Sequence, residues 1–157
     1  MKKNTSPGMK RSRVPWSEKL RPEMEAVVCD DPKGRGKMLL PTPMLVAGAM
    51  RGIPARALLT VPELRNRMAR SHGADLTCPL MTGIFYNIIA GAAEEEIAAG
   101  KPPLAPYWRV VQENGTLSPK TPAGPERQAE HLRGEGHVVE ERRAKLHVRD
   151  FEQSLAD

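Results

Sequence analysis

Apolar positions along this chain fall into short runs at helical spacing, separated by Gly- and Pro-containing breaks, and the runs set an order of elements. The first helix is expected from Thr42-Pro43. Thr42 offers a side-chain cap, Pro43 sits where a missing N–H costs nothing, and Met44, Leu45, Ala47, Ala49 and Met50 carry the pattern to Gly52. Thr60-Val61-Pro62-Glu63 then reads as a capping box, with Thr60 as N-cap and Glu63 reaching back to its amide. Val61, Leu64 and Met68 form one face of that second helix, Arg65, Arg67 and Arg70 face elsewhere, and Gly73 supplies a left-handed stop. Thr77 is expected to cap a third helix, with Pro79 in its first turn and Ile84, Phe85, Ile88 and Ile89 in its body. Two helices joined by a tight Gly-containing turn read as a helix-turn-helix, the second being the recognition helix.

Past Gly100-Lys101-Pro102-Pro103 the pattern changes. Residues 107–111 have β propensity, and Glu113-Asn114-Gly115 is a turn signal that would fold them against Thr116-Leu117, where a wing would lie. Gly124-Pro125 opens another helix through Leu132, ended by Gly134 or Gly136. His137-Val138-Val139 and Lys145-Leu146-His147-Val148 flank a charged segment as a hairpin, and Asp150 is placed to cap a last turn through Leu155. Residues 14–37 are rich in Pro and charge, and residues 30–37 read as a solvated loop whose glycines lack the spacing of a P-loop. The expected class is mainly α with small β hairpins, of the winged helix-turn-helix type.

Charge alters this picture at one end. The 157 residues carry a formal +5, and Lys2, Lys3, Lys10, Arg11, Arg13, Lys19 and Arg21 stand against Glu18 alone within residues 1–22. That arm therefore holds an excess of +6 and the remainder of the chain −1. Residues 1–22 read as a basic, disordered arm and residues 23–157 as a single domain with a C-terminal extension, since 39% hydrophobic residues suffice for one modest core. A basic arm points to a polyanionic partner. Cys29 and Cys78 are far apart and lack metal-ligand spacing, and His72, His131, His137 and His147 are scattered, so no metal is assigned. No apolar run approaches the ~20 residues of a membrane span, and Met1-Lys2-Lys3 leads into polar residues. The expectation is a reducing, cytoplasmic setting, at the nucleoid in a bacterium, with no membrane partner and no cofactor.

One stretch carries chemistry. Ala105-Pro106-Tyr107-Trp108-Arg109-Val110-Val111, followed by Gly115 and by Gln128, Leu132, Glu135 and Gly136, resembles the C-terminal signature of the alkylguanine-DNA alkyltransferase (methylated-DNA–protein-cysteine methyltransferase) family. In that family Pro-Cys-His-Arg-Val carries the acceptor cysteine, whose proton is relayed through histidine to a buried glutamate. Here Tyr107 stands at the cysteine and Trp108 at the histidine, while Glu135 keeps the glutamate's place. A phenol of pKa ~10 is no substitute for a thiolate, and an indole accepts no proton. The chain is most similar to alkyltransferase-like proteins, non-enzymatic relatives that bind alkylated DNA and flip the damaged base.

The resemblance implies duplex DNA as partner, repair proteins beyond it, and no alkyl transfer. It places Leu80 where the family's arginine finger enters the base stack and Val61 near the tyrosine that turns the target phosphate. Pro106, Gly115 and Glu135 support the segment. Tyr107, ahead of Trp108, is the expected stacking surface for an extruded base, because neighbouring strand residues point to opposite faces. Arg109 is placed to touch phosphate or to pair with Glu135. Thr82, Tyr86 and Asn87 are the polar residues of the recognition helix, whose end at Glu94-Glu95-Glu96 should avoid phosphates; Arg65, Arg67 and Arg70 are better phosphate candidates. The alternatives are a winged-helix regulator without lesion preference, a protein-interaction module that kept the fold, and an enzyme using Cys78, whose thiol would start a helix.

Overall fold

The computed structural model describes residues 14–157. Four helices, α1 (Pro43–Arg51), α2 (Val61–Ser71), α3 (Pro79–Ala98) and α4 (Pro125–Gly134), pack with three small sheets around one core. The caps act as their residue types dictate. Thr42 Oγ1 accepts from the Leu45 amide and Thr60 Oγ1 from the Glu63 amide, each ahead of a Pro in the first turn. Glu63 does not close the expected capping box: its carboxylate leaves the Thr60 amide and turns outward to Arg70 and Arg67. Gly73 takes φ +64° just past α2, the left-handed stop that its lack of a Cβ permits.

The first sheet was not legible as strands. β1 (Val27–Asp30) and β2 (Lys37–Leu40) form an antiparallel hairpin, and β4 (Leu76–Thr77) adds to β2 in parallel. The expected loop at 30–37 is the tip of that hairpin. Asp31 holds it by accepting from the Arg35 amide and side chain, and the Arg35 guanidinium keeps the Asp31 carboxyl down at about 2. A Cβ on Gly36 would fall 2.3 Å from Asp75 Oδ2, which instead accepts from the Lys37 amide. The Asp31 and Asp75 carboxylates thus take amides of the 35–37 segment that a phosphate would otherwise need.

Thr77 does not cap α3. It lies in β4 and donates its hydroxyl to the Arg65 carbonyl, while Cys78 takes the N-cap position without a side-chain bond. The wing expected at 107–117 is also different. Residues Tyr107–Arg109 form a 3-10 turn, β5 (Val110–Val111) pairs in parallel with β3 (Leu59–Thr60), and the turn at 112–115 leads Thr116 and Leu117 onto another hairpin. That hairpin, β6 (Val139–Arg142) and β7 (Lys145–Val148), forms where the sequence placed one. The Leu117 amide donates to Leu146 and the Val148 amide to Gly115, so residues 115–117 run along β7 as a third edge. A last 3-10 turn (Phe151–Ser154) follows Asp150, which sits at its start with φ +53° and makes no side-chain cap. The fold is thus four helices with small mixed sheets, less purely helical than expected.

Most of the expected arm, residues 1–13, lies outside the described residues. Its remainder does not hang free of the body. A 3-10 turn (Trp16–Lys19) docks on α3, with the Trp16 and Ser17 amides donating to the two oxygens of Glu95. Gly91 provides the notch: a Cβ there would lie 2.3 Å from Trp16 Cγ. Gly91→Ala is therefore expected to lift this turn off α3 and to destabilise by roughly 1–3 kcal/mol, the usual cost of overpacking. Melting curves and acrylamide quenching of Trp16 check it, and unchanged values in both would remove the notch from the account.

Candidate nucleic-acid interface

The signature segment starts at Pro106, which precedes the 3-10 turn and accepts from the Arg109 amide. With three residues per turn, successive side chains in such a turn are about 120° apart, so two neighbours can both face inward. Tyr107 is wholly buried and Trp108 nearly so. The Tyr107 hydroxyl donates to Glu94 Oε2 at 2.6 Å, and burial, then the Glu94 charge, push its pKa far above the usual phenol range. Trp108 stacks on His131 with centroids 4.2 Å apart and donates Nε1–H to Glu135 Oε2. Tyr107 is therefore not the expected stacking surface for a base: both of its faces and its hydroxyl belong to the core. Trp108 is committed in the same way.

Glu94, read from the sequence as part of an acidic helix end that should avoid phosphates, is the centre of a buried network. It is 0% exposed and takes Tyr107, His131 Nε2 at 2.7 Å and Arg127 Nε at 2.9 Å. Burial raises the pKa of this carboxyl, but the hydrogen bonds from His131, Tyr107 and Arg127 outweigh it and hold the group below the usual carboxylate range. Glu95 binds the Trp16 turn, and Glu96 accepts from the Leu104 amide. All three acids thus answer inward donors. Spacing could not show this, because the donors lie before residue 18 or beyond residue 103.

Glu135 sits at the C-cap of α4 and is likewise held below its ordinary pKa. Burial opposes this, but Arg109, Trp108 and the Arg56 amide prevail. Arg109 forks onto both Glu135 oxygens and donates Nη1 to the Ile53 carbonyl, so it is a structural clamp and not a free phosphate ligand. Gly115, at φ +81°, lets the Phe151 ring approach where a Cβ would lie 2.4 Å from Cδ1. Gln128 Nε2 donates to the Trp108 and Val110 carbonyls, fixing the segment from α4.

The open surface lies elsewhere. A cleft of about 350 Å³ is bounded by the start of α2 (Val61, Leu64), the first turns of α3 (Leu80, Thr82, Gly83, Asn87) and the 112–120 loop (Gln112, Ser118, Lys120). That volume falls within the ~300–1,000 Å³ of small-molecule sites. Leu80, Thr82 and Asn87, three of the residues singled out from sequence, meet here, although Thr82 spends its hydroxyl on the Cys78 carbonyl. Leu80 is 72% exposed and Ile84, one turn on, 49%. The aromatic group lining the cleft is Tyr86, read earlier only as a polar helix residue; its hydroxyl donates to the Tyr107 carbonyl. Gln112, Ser118 and Lys120 were missed, since their loop carries no periodic signal.

The α2 arginines divide. Arg67 and Arg70 share Glu63, and Arg67 also donates to the Ala156 carbonyl, whereas the Arg65 side chain has no partner among the described residues. Cys78 is half-buried and unpaired, with no His or acid bonded to its sulfur. Among the described residues no group of His, Cys, Asp and Glu is placed to hold a metal, and no helix is long and apolar enough to cross a membrane.

No protein-family model matches the chain, and no curated protein matches it. Two solved structures share its fold. One is Schizosaccharomyces pombe Atl1 in complex with damaged DNA containing O6-carboxymethylguanine, at TM-score 0.53, and the other is S. pombe ATL in complex with DNA, at 0.52. Each is 21% identical over 73% of this chain and 94% of its own. At that identity the likeness is one of fold.

Proposed function

We propose that this chain is a non-enzymatic, alkyltransferase-like DNA-binding protein that sets α3 of a helix-turn-helix against duplex DNA and takes an alkylated guanine, flipped from the stack, into the cleft beside Leu80. The observation that carries the reading is the join of that cleft to an exposed apolar ridge at the start of α3. Leu80 stands where a wedge must enter the stack, and the cavity opens behind it. Extruding a base costs a few kcal/mol. Within the cleft Tyr86 supplies an aromatic edge, while Asn87, Gln112 and Ser118 supply polar groups for a base edge. The positive end of α3 and Lys120 favour nearby phosphates.

The absence of transfer chemistry follows from the residue at the acceptor position. Tyr107 is held as a neutral phenol against Glu94, and Trp108 separates it from any relay to Glu135. Both structures of like fold are complexes with DNA, which supports DNA as partner. The function served is the marking of a lesion for repair proteins.

Titrating matched duplexes, with and without one O6-alkylguanine, tests the reading. Tighter binding of the alkylated duplex with an unmodified intact mass is expected. Equal affinities would reduce the chain to a plain duplex binder without lesion preference, and a stoichiometric alkyl adduct would overturn the non-enzymatic assignment.

A further inference from the structure

The base cleft does not end at Lys120. Gln112, Ser118 and Lys120 also line a second cleft under the 112–120 loop, and Lys145 joins that cleft to a third, lined by Asn114, Thr116, Arg142, Arg143 and His147. The path runs from the first turn of α3 to the tip of the β6–β7 hairpin. From Lys120 onward cations outnumber the single acid, with Lys120, Lys145, Arg142 and Arg143 all exposed.

The hairpin tip is built against its own stability. Arg142 and Lys145 are directly opposite each other in the antiparallel register, and like charges so placed repel. They share a face with Glu140 and His147, but Glu140 is paired with Arg149, and Arg142 reaches only His147 Nδ1 at 3.5 Å. Glu141 lies on the opposite face of the pleat. Glu113 is the one acid lining the path, at its middle. None of the four cations has a carboxylate partner among the described residues. The two turn residues, Arg143 and Ala144, hold φ +52° and +64°, a conformation for which Asn-Gly is the ordinary choice. The chain keeps an arginine at a strained position beside two other cations.

The hairpin is also tied to the 112–120 loop. Residues 115–117 bond to β7 on one side, and Asn114 Oδ1 accepts from the Thr116 amide and hydroxyl on the other, so the loop and hairpin form one surface. Repulsion among cations held on one surface is offset when a polyanion lies across it.

We infer that the cleft from Lys120 to Arg142, Arg143 and Lys145 is a second DNA contact, which holds the phosphodiester backbone of the duplex flanking the site at α3. This rests on the proposed DNA-binding function and extends the footprint beyond the helix-turn-helix. The test is the salt dependence of duplex binding, because each neutralised phosphate contributes about 0.9 to the slope of log K against log salt. Arg142→Gln/Lys145→Gln is expected to lower that slope by about 2 and to leave the melting temperature unchanged or raised, since the repelling pair is gone. A charge-matched control, Lys33→Gln/Lys101→Gln, alters exposed cations that line none of the three clefts and is expected to keep the parent slope. A parent slope in the first variant overturns the second contact while leaving DNA binding intact. An equal fall in the control overturns it too, by reducing the effect to net charge. A parent protein that binds no duplex at all overturns the functional reading and this surface with it.

Discussion

Glu94→Gln is expected to lower stability by about 3 kcal/mol, near the lower end of the ~3–5 kcal/mol that follows when one partner of a buried ion pair is removed. The lower end applies because the Arg127 side chain remains 30% exposed and regains some hydration. Three donors converge on this fully buried carboxylate, from Tyr107, His131 and Arg127. A carboxamide carries no charge and turns an NH2 toward at least one of them. For a chain of this size ~1 kcal/mol moves the melting temperature by about 2–4 °C, so a fall of roughly 6–12 °C is expected at neutral pH. The acid side gives a second readout. Glu94 and Glu135 both have folded-state pKa values below their ordinary 4.5. Their contribution is complete above the unfolded-state value and is lost as pH falls through the folded-state values. Below about pH 4 the parent should therefore lose stability more steeply than the variant. A melting temperature within 2 °C of the parent at neutral pH would show that the network is not what holds α3, α4 and the signature segment together.

Much of this fold was legible where the determinant is local. Thr42 and Thr60 cap as their sequence context requires, Gly73 stops α2, Gly124-Pro125 opens α4, and the hydrophobic pairs around residues 140–144 close as a hairpin. The misses share another cause: partners remote in sequence. Val27–Asp30 and Lys37–Leu40 are too short for a period to declare itself, and the parallel partner of Lys37–Leu40 is β4, some forty residues on. Gly91 looks like a helix weakness until Trp16 fills the space. Glu94 looks like one more acid of a helix end until Arg127 and His131 arrive from α4.

The candidate site shows the same division. The signature marked the right segment, but strand alternation was the wrong period for Tyr107 and Trp108, which a 3-10 turn places together in the interior. Their aromatic surface serves the core, and Arg109 serves Glu135. Leu80 and Asn87 did fall on the cleft. What completes the cleft is the 112–120 loop, whose position is set by hydrogen bonds to β7 and by Phe151 under Gly115.

Leu80→Ala is the sharpest test of how that cleft is used. A leucine left 72% exposed on the first turn of a long helix, with Ile84 beside it, gains nothing within the protein from its size. Substitution at such a site changes stability by no more than about 0.5 kcal/mol. If Leu80 is the wedge that fills the stack after a base leaves, its side chain offsets an unstacking cost of a few kcal/mol per step. Losing about 1.4 kcal/mol of that is a tenfold change, so affinity for the alkylated duplex is expected to fall about tenfold or more. The fall should be smaller on undamaged duplex, where contacts to phosphate dominate. A 2-aminopurine placed beside the lesion reports extrusion directly: the rise in fluorescence given by the parent should be much reduced for the alanine variant at saturating protein. A variant that melts like the parent, binds alkylated duplex as tightly and gives the same fluorescence would show that no base passes Leu80, and the cleft behind it would lose its assignment as a base pocket.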